Sequence, residues 1–340
     1  MSKNVLITGG AGFIGHHLVD HLIKSTDWNI DIIDKLNYAS FGLKRLQDIN
    51  ALNNKRIRVF TFDFSVEFTD GLIKELKDTN IIFHLGAETF VEHSIKNPLP
   101  FIYSNVLGTA RMLELAKSFK KIEYFLYFST DEVFGVAKEG EHFKEWDRFN
   151  SRNPYSASKA SGEEIALAYS IAYSIPVFVL HSMNIVGERQ YPEKYLPKLI
   201  RKLLNEEIIY VHSDETLKIP GSRYYLYCED LIDAIFTIID NIGRNIEGEN
   251  INWKRDIFNI TGSKEINNLE LAQFVAKIMG KKLKYEFIDY HTMHPGHDLR
   301  YSLDGHRMKK LGWTPPKDIF EKISKTVKWT TEHKEWLRQV

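Results

Sequence analysis

A doubly wound, parallel α/β sheet with a smaller α/β domain behind it is the fold class that three features of this sequence predict. Short β-rich apolar runs alternate with longer helical ones, the pattern of strands buried on both faces. A glycine-rich turn, Gly9-Gly10-Ala11-Gly12-Phe13-Ile14-Gly15, stands between the first such strand and the first helix. Asp34 closes the second strand about twenty residues on, where a Rossmann-type sheet places an acid.

Taken in order, strands are expected at residues 5–8, 30–33, 57–62, 81–85, 125–129 and 177–181. Helices are expected at 12–24, 72–77, 101–118 and 154–173, the last opening on Pro154, whose missing N–H would be unpaired there anyway. After residue 182 the rhythm breaks into prolines, aromatics and charged loops, with helices expected at 231–241 and 269–279. The division this predicts is a first domain over 1–182, carrying the chemistry, and a substrate cap over 183–340. Some segments of the cap are expected to return to the first domain, because no flexible linker separates the halves.

The 340 residues carry 45 Lys and Arg against 45 Asp and Glu, and so lack the basic excess that a nucleic acid or an anionic membrane surface would select. Small-molecule partners are expected instead. A single cysteine, Cys228, rules out an intrachain disulfide and a cysteine-rich metal site, and fits the reducing cytoplasm. No apolar run approaches the ~20 residues of a membrane helix, and residues 1–8 lead directly into a strand, so a mature N-terminus is expected.

The glycine turn lets a pyrophosphate approach the backbone, with its charge met by the N–H groups that open the following helix; Gly9, Gly12, Phe13, Ile14 and Gly15 are the candidate contacts. Asp34 would accept both ribose hydroxyls and repel a 2′-phosphate, which favours NAD over NADP, whereas the adjacent Lys35 would tolerate that phosphate. Asp63, with Phe64 beside it at the end of the third strand, is placed either against the adenine edge or as a plain loop aspartate.

Tyr155 and Lys159 share one helix face, as a proton-transfer tyrosine and its supporting ammonium require. Asp131 and Glu132 follow a strongly apolar strand at its carboxyl end. Adjacent carboxyls in a partly dry cleft repel each other's ionisation, leaving one acid and one base, the division of labour of an elimination. The alternative is that Thr130-Asp131-Glu132 merely caps the next segment in water.

With these motifs in view, the chain resembles the extended short-chain dehydrogenase/reductases, and within them the nucleoside-diphosphate-sugar 4,6-dehydratases, nearest their dTDP-glucose branch. The resemblance runs through Thr8–Gly15, His84–Thr89, Asn105–Thr109, Ser129–Gly135, Asn153–Lys159, Gln190–Lys194, Arg223–Asp230, Pro295–Asp298 and Leu311–Trp313. Thr-Asp-Glu is the discriminating triplet, since epimerases and decarboxylases of the superfamily usually carry other residues there.

The resemblance implies a redox-neutral lyase reaction. Tyr155, supported by Lys159 and Thr130, would take the C4 hydroxyl proton of a hexose while NAD accepts the C4 hydride. Glu132 would remove the acidified C5 proton, Asp131 would protonate the departing C6 hydroxyl, and the hydride would return to C6. It also implies that Leu85, Ala87 and Glu88 line the cofactor channel, with Ser104 on the nicotinamide side. Thr89, Asn184, Glu193, Lys194, Arg223, Asn259 and His297 would meet the sugar nucleotide, and a homodimer would form through helices 101–118 and 154–173.

Departures bear on the nucleotide. Asn184-Ile-Val-Gly-Glu188 stands where bacterial dTDP-glucose enzymes read Asn-Asn-Tyr-Gly-Pro, and the stretch 212–222 is longer than its counterpart. Thymine and uracil both remain open, so a UDP-glucose or UDP-N-acetylglucosamine 4,6-dehydratase is an alternative. An epimerase and a non-catalytic NAD-binding sensor are the others.

Overall fold

The computed structural model describes residues 2–242, 245–246, 249–250, 255–289 and 299–338. Six strands lie within residues 1–182: β1 (Asn4–Thr8), β2 (Asn29–Asp34), β3 (Ile57–Thr61), β4 (Ile81–His84), β5 (Tyr124–Thr130) and β6 (Val177–Ser182). They pair in parallel in the order β6-β5-β4-β1-β2-β3. Neighbouring residues send their side chains to opposite faces: Val5 and Ile7 of β1 enter one apolar core and Leu6 the other, as Ile81 and Phe83 of β4 do against Ile82.

Helices cover both faces. Phe13–Ser25 and Cys228–Asn241 pack on the first core, Gly108–Ser118 and Pro154–Tyr173 on the second. Pro154–Tyr173 starts abruptly because the Asn153 side chain accepts from Ser156 N at 2.8 Å while Ser156 Oγ bonds back to Asn153 N at 3.3 Å, a reciprocal cap with proline in the first turn. The helix expected over 101–118 is not uniform: it widens to π-helical geometry over Ile102–Leu107, which turns Ser104 and Asn105 inward.

A seventh strand, Arg255–Ile260, adds in parallel to the free edge of β6. Sequence reading does not find it, because a charged stretch precedes it and an aspartate sits in its first half. That Asp256 is buried, and it is neutralised by a paired bond from Arg307, one arm of which spans 2.7 Å.

The remaining strands form small sheets: Asn184–Val186 and Glu265–Asn267 flank Ser222–Tyr227, Tyr285–Asp289 pairs with Ile209–Ser213, and Asn245–Ile246 pairs with Glu249–Asn250. Their apolar core comes from one side each of helices Tyr195–Leu204, Asn268–Ile278 and Ile319–Glu332. Two of these helices, Tyr195–Leu204 and Ile319–Glu332, were not expected. Among the described residues no helix is long and apolar enough to cross a membrane.

Candidate active site

β1 lies between β2 and β4, so the chain crosses from one side of β1 to the other, and a crevice opens beyond the carboxyl ends of the strands. Its floor is the glycine turn. Gly9 takes a positive φ of 70°, and a Cβ there would sit 2.9 Å from Gly86 Cα. A Cβ on Gly15 would fall 2.1 Å from Gly9 O, so the first helical turn rests directly on the loop. Gly12 caps that helix without a side-chain hydrogen bond, leaving first-turn N–H groups for an anion.

At the end of β2 the Asp34 carboxylate accepts from Ala11 N at 3.0 Å and Leu36 N at 2.8 Å. Burial raises its pKa, against the opposing pull of those two N–H groups. Across the crevice, Lys35 Nζ pairs with Glu88 Oε1 at 2.7 Å, and Asn37 Nδ2 donates to the same oxygen at 3.3 Å. Asn105 fixes the Glu88 backbone from the widened helix, its Oδ1 accepting from Glu88 N at 2.8 Å and its Nδ2 donating to Glu88 O at 2.9 Å.

The deep end of the crevice holds the acid-base groups. Thr130 ends β5 and caps the turn Asp131–Phe134, its Oγ1 accepting from Glu132 N. Capping and chemistry are thus not exclusive: Asp131 is 4% exposed, so the water-facing alternative for it is corrected. Burial, then the neighbouring Glu132, pushes the Asp131 carboxyl up to about 7, with Arg223 pulling the other way. Its Oδ1 accepts from Thr130 Oγ1 at 3.1 Å, and its buried Oδ2 has no hydrogen-bond partner.

Glu132 Oε2 accepts from Asn153 Nδ2 at 3.3 Å and from the Tyr301 hydroxyl at 3.4 Å. Burial and the two carboxyls hold Tyr155 well above the usual tyrosine range, while a hydrogen bond with Thr130 opposes them. Lys159, one turn along, is brought down to about 7 by burial against the pull of Glu163, and its Nζ lies 4.3 Å from the Tyr127 ring centroid.

The structure brings most of the sequence-derived residues to this one crevice: Gly9, Gly12, Phe13, Ile14, Gly15, Asp34, Lys35, Phe64, Leu85, Ala87, Glu88, Thr89, Ser104, Thr130, Asp131, Glu132, Tyr155, Lys159, Asn184, Glu193 and Lys194 all line it. Arg223 lines a second cavity that shares Thr89, Glu132, Asn184, Glu193 and Lys194 with the first. There its guanidinium donates to Leu299 O at 2.7 Å and stacks over Tyr301, 4.5 Å from the ring centroid.

Three assignments are corrected or fall elsewhere. Of the two readings of Asp63, its hydrogen bonds fit the loop one: the carboxylate accepts from Ser65 N at 2.9 Å and Ser65 Oγ at 2.7 Å, closing its own turn, while Phe64 lines the crevice wall. Asn259 is fully buried outside both cavities, its Oδ1 2.9 Å from His181 Nδ1 and its Nδ2 donating to Phe143 O. It stands on the unexpected seventh strand, which draws it into the sheet. His297 lies outside the described residues.

Sequence reasoning missed Asn37, Asn105, Ser129 and Tyr301. Asn37 had a local signal, an asparagine placed to cap the short turn after Asp34, where it accepts from Ala39 N at 3.1 Å. Ser129, whose buried hydroxyl has no hydrogen-bond partner, opens the Ser129–Gly135 stretch but was given no role, and Tyr301 gave no signal, because only the folded chain brings it here.

The sheet order, the glycine turn and the Tyr-x-x-x-Lys helix together make this an extended short-chain dehydrogenase/reductase. Within that class the chain belongs to the family described as GDP-mannose 4,6 dehydratase, whose model matches residues 6–326. It is 35% identical over 339 residues to an Arabidopsis thaliana trifunctional UDP-glucose 4,6-dehydratase/UDP-4-keto-6-deoxy-D-glucose 3,5-epimerase/UDP-4-keto-L-rhamnose-reductase, covering 98% of this chain and 48% of that protein. The chain therefore spans about half the length of this plant relative. It is 30% identical to an Escherichia coli dTDP-glucose 4,6-dehydratase, over 99% of this chain and 96% of that one. Its fold superposes with a TM-score of 0.84 on the dTDP-glucose 4,6-dehydratase DesIV of Streptomyces venezuelae, crystallised with NAD, at 29% identity and 98% coverage of each chain.

Proposed function

We propose that this chain is an NAD-dependent nucleoside-diphosphate-glucose 4,6-dehydratase, a hydro-lyase acting on dTDP-glucose or UDP-glucose. The observation that carries the reading is the pairing of a protonatable Asp131 with Glu132 in the same buried crevice as Tyr155 and Lys159. An epimerase needs only the last two.

The crevice fits NAD by its own features. A side chain on Gly9 or Gly15 would strike backbone, so the turn packs tightly under the first helix, whose first-turn N–H groups are left open to a phosphate at Gly12, and Asp34 would meet the ribose. The orphaned Ser104 and Ser129 hydroxyls, buried on the crevice wall, offer polar contacts further in. When bound, NAD supplies a reversible hydride acceptor and the positive charge of its ring.

Tyr155 then removes the C4 hydroxyl proton. Burial and the carboxyls hold its own proton on, so it acts as the base only as a phenolate, which the positive ring of a bound NAD and the Lys159 ammonium on the same helix face would favour. Glu132, held by Asn153 and Tyr301, takes the proton from C5, which a ketone at C4 makes acidic. Asp131 keeps a proton near neutrality and delivers it to the C6 hydroxyl, which departs as water.

Arg223 and Lys194, which line the second cavity with Lys198 and Lys202, supply charge for the diphosphate, and Tyr210 and His212 supply aromatic surface for the base. A homodimer is supported by apolar side chains left exposed on the helices over 101–118 and 154–173, with Tyr103 and Ile171 each more than half exposed.

Incubating the NAD-loaded protein separately with dTDP-glucose and UDP-glucose, then adding alkali, tests the reading. The ultraviolet chromophore of a 4-keto sugar should form with at least one nucleotide. A galactose-configured product without the chromophore would instead make the chain an epimerase, and no product with either would favour a sensor.

A further inference from the structure

Lys35 follows the ribose-binding Asp34 directly, and its ammonium lines the crevice where it would welcome a 2′-phosphate. It is not free to do so. Its Nζ lies 2.7 Å from Glu88 Oε1, with the Lys35 and Glu88 side chains only 26% and 14% exposed. Glu88 is in turn immobilised: Asn105 binds both its backbone N–H and its carbonyl, and Asn37 donates to its carboxylate. The carboxylate is therefore part of the rigid crevice wall and the flexible lysine bends to it.

We infer that Glu88 is the residue that sets cofactor choice, by tying up Lys35 at the ribose end of the crevice. With Lys35 neutralised by Glu88, the charge lining the crevice at the 2′ position is that of Asp34; Arg45, whose charge also bears on Asp34, is fully buried and does not line the crevice. A hydroxyl donates to that carboxylate, whereas a 2′-phosphate would meet two acids and a committed cation. This deepens the proposed NAD reading and rests on it. It also resolves the opposed readings of Asp34 and Lys35, since the discriminating group comes from the far side of the crevice, after β4.

The test uses the full-length protein stripped of cofactor, titrated with NAD and with NADP and followed by intrinsic fluorescence, so that no turnover is needed. The readout is the ratio of the two dissociation constants. Wild type should favour NAD, and Glu88→Gln should improve NADP relative to NAD by about tenfold or more, the scale of one charge-assisted hydrogen bond. Adding Lys35→Met to Glu88→Gln should abolish that gain. Lys35→Met alone, which leaves the Glu88 charge unbalanced, should weaken NADP relative to NAD and serves if the Glu88 variant does not fold. A Glu88→Gln ratio within about twofold of wild type, a gain that survives loss of Lys35, or improved NADP preference in Lys35→Met would each overturn the inference while leaving the NAD reading intact. Wild-type protein that binds neither dinucleotide would overturn both.

Discussion

The Tyr301 hydroxyl donates to Glu132 Oε2 at 3.4 Å, joining two residues that stand 169 positions apart in the chain. It places a donor from the second half of the chain on the base of the proposed elimination, while the Tyr301 ring is held under the Arg223 guanidinium. Tyr301→Phe keeps the stacking and removes the donor. It should lower kcat by roughly threefold to tenfold with little change in KM, the scale of one weak hydrogen bond to a charged group. Steady-state kinetics checks this, and an unchanged kcat would separate Tyr301 from the chemistry.

Tyr155 and Glu132 are assigned to successive steps, so their variants should stop the reaction at different points. Tyr155→Phe should abolish the first oxidation and show no reduced nicotinamide on mixing with substrate. Glu132→Gln should permit that oxidation and block water loss, so the absorbance of reduced cofactor accumulates and C5 exchange with solvent falls. Full turnover by Glu132→Gln would remove it from the role of C5 base.

Asp131 acts while protonated, and burial with Glu132 raises its pKa to about 7. The rate of the elimination should therefore fall as pH rises through about 7. The same shift has a cost in stability. The native state holds this proton more tightly than the unfolded chain does, so ionisation opposes folding. That penalty is absent below the unfolded pKa, grows as pH climbs toward the folded value, and is complete above it. Asp131→Asn should accordingly lose activity yet gain stability, on the order of 2 kcal/mol at pH 8 and little at pH 4. Denaturant unfolding at the two pH values measures it, and equal gains at both would contradict the burial argument.

Beneath Lys159, Glu163 and His181 form a fully buried pair at 2.9 Å. Burial alone would depress the His181 pKa, but the Glu163 charge and the hydrogen bonds that the ring donates to Glu163 and Asn259 outweigh it and raise the value. A raised histidine pKa contributes stability that is full below the unfolded value and lost as pH rises through the folded one. Glu163→Gln should cost about 3 kcal/mol or more, because it strands a buried charge, and the loss should be larger at pH 6 than at pH 9. Thermal unfolding at both pH values checks the sign. The variant also removes the charge that holds the Lys159 pKa up, so that pKa should drop further.

How legible the molecule was in its sequence depended on whether a signal was local. The β1–helix turn, Asp34, the Thr130-Asp131-Glu132 turn and the capped helix carrying Tyr155 and Lys159 each combine element and chemistry within a few residues, and each falls where its spacing placed it. The strand Arg255–Ile260 was illegible because its buried Asp256 mimics a loop residue until Arg307, 51 positions on, neutralises it. The Lys35–Glu88 pair was hidden in the same way, since each residue taken singly reads as an ordinary lining group. Asn259 shows the converse error: the motif match put it near the nucleotide, whereas the seventh strand buries it against His181.

The central claim is that one hydride leaves C4 and returns within the same molecule to C6 while Asp131 and Glu132 remove water between those events. Supplying NDP-glucose deuterated at C4 and locating the label in the 4-keto-6-deoxy product by NMR tests it directly. The account predicts deuterium at C6. Product whose label has exchanged into solvent, or sugar that retains deuterium at C4 with its C6 hydroxyl intact, would contradict it.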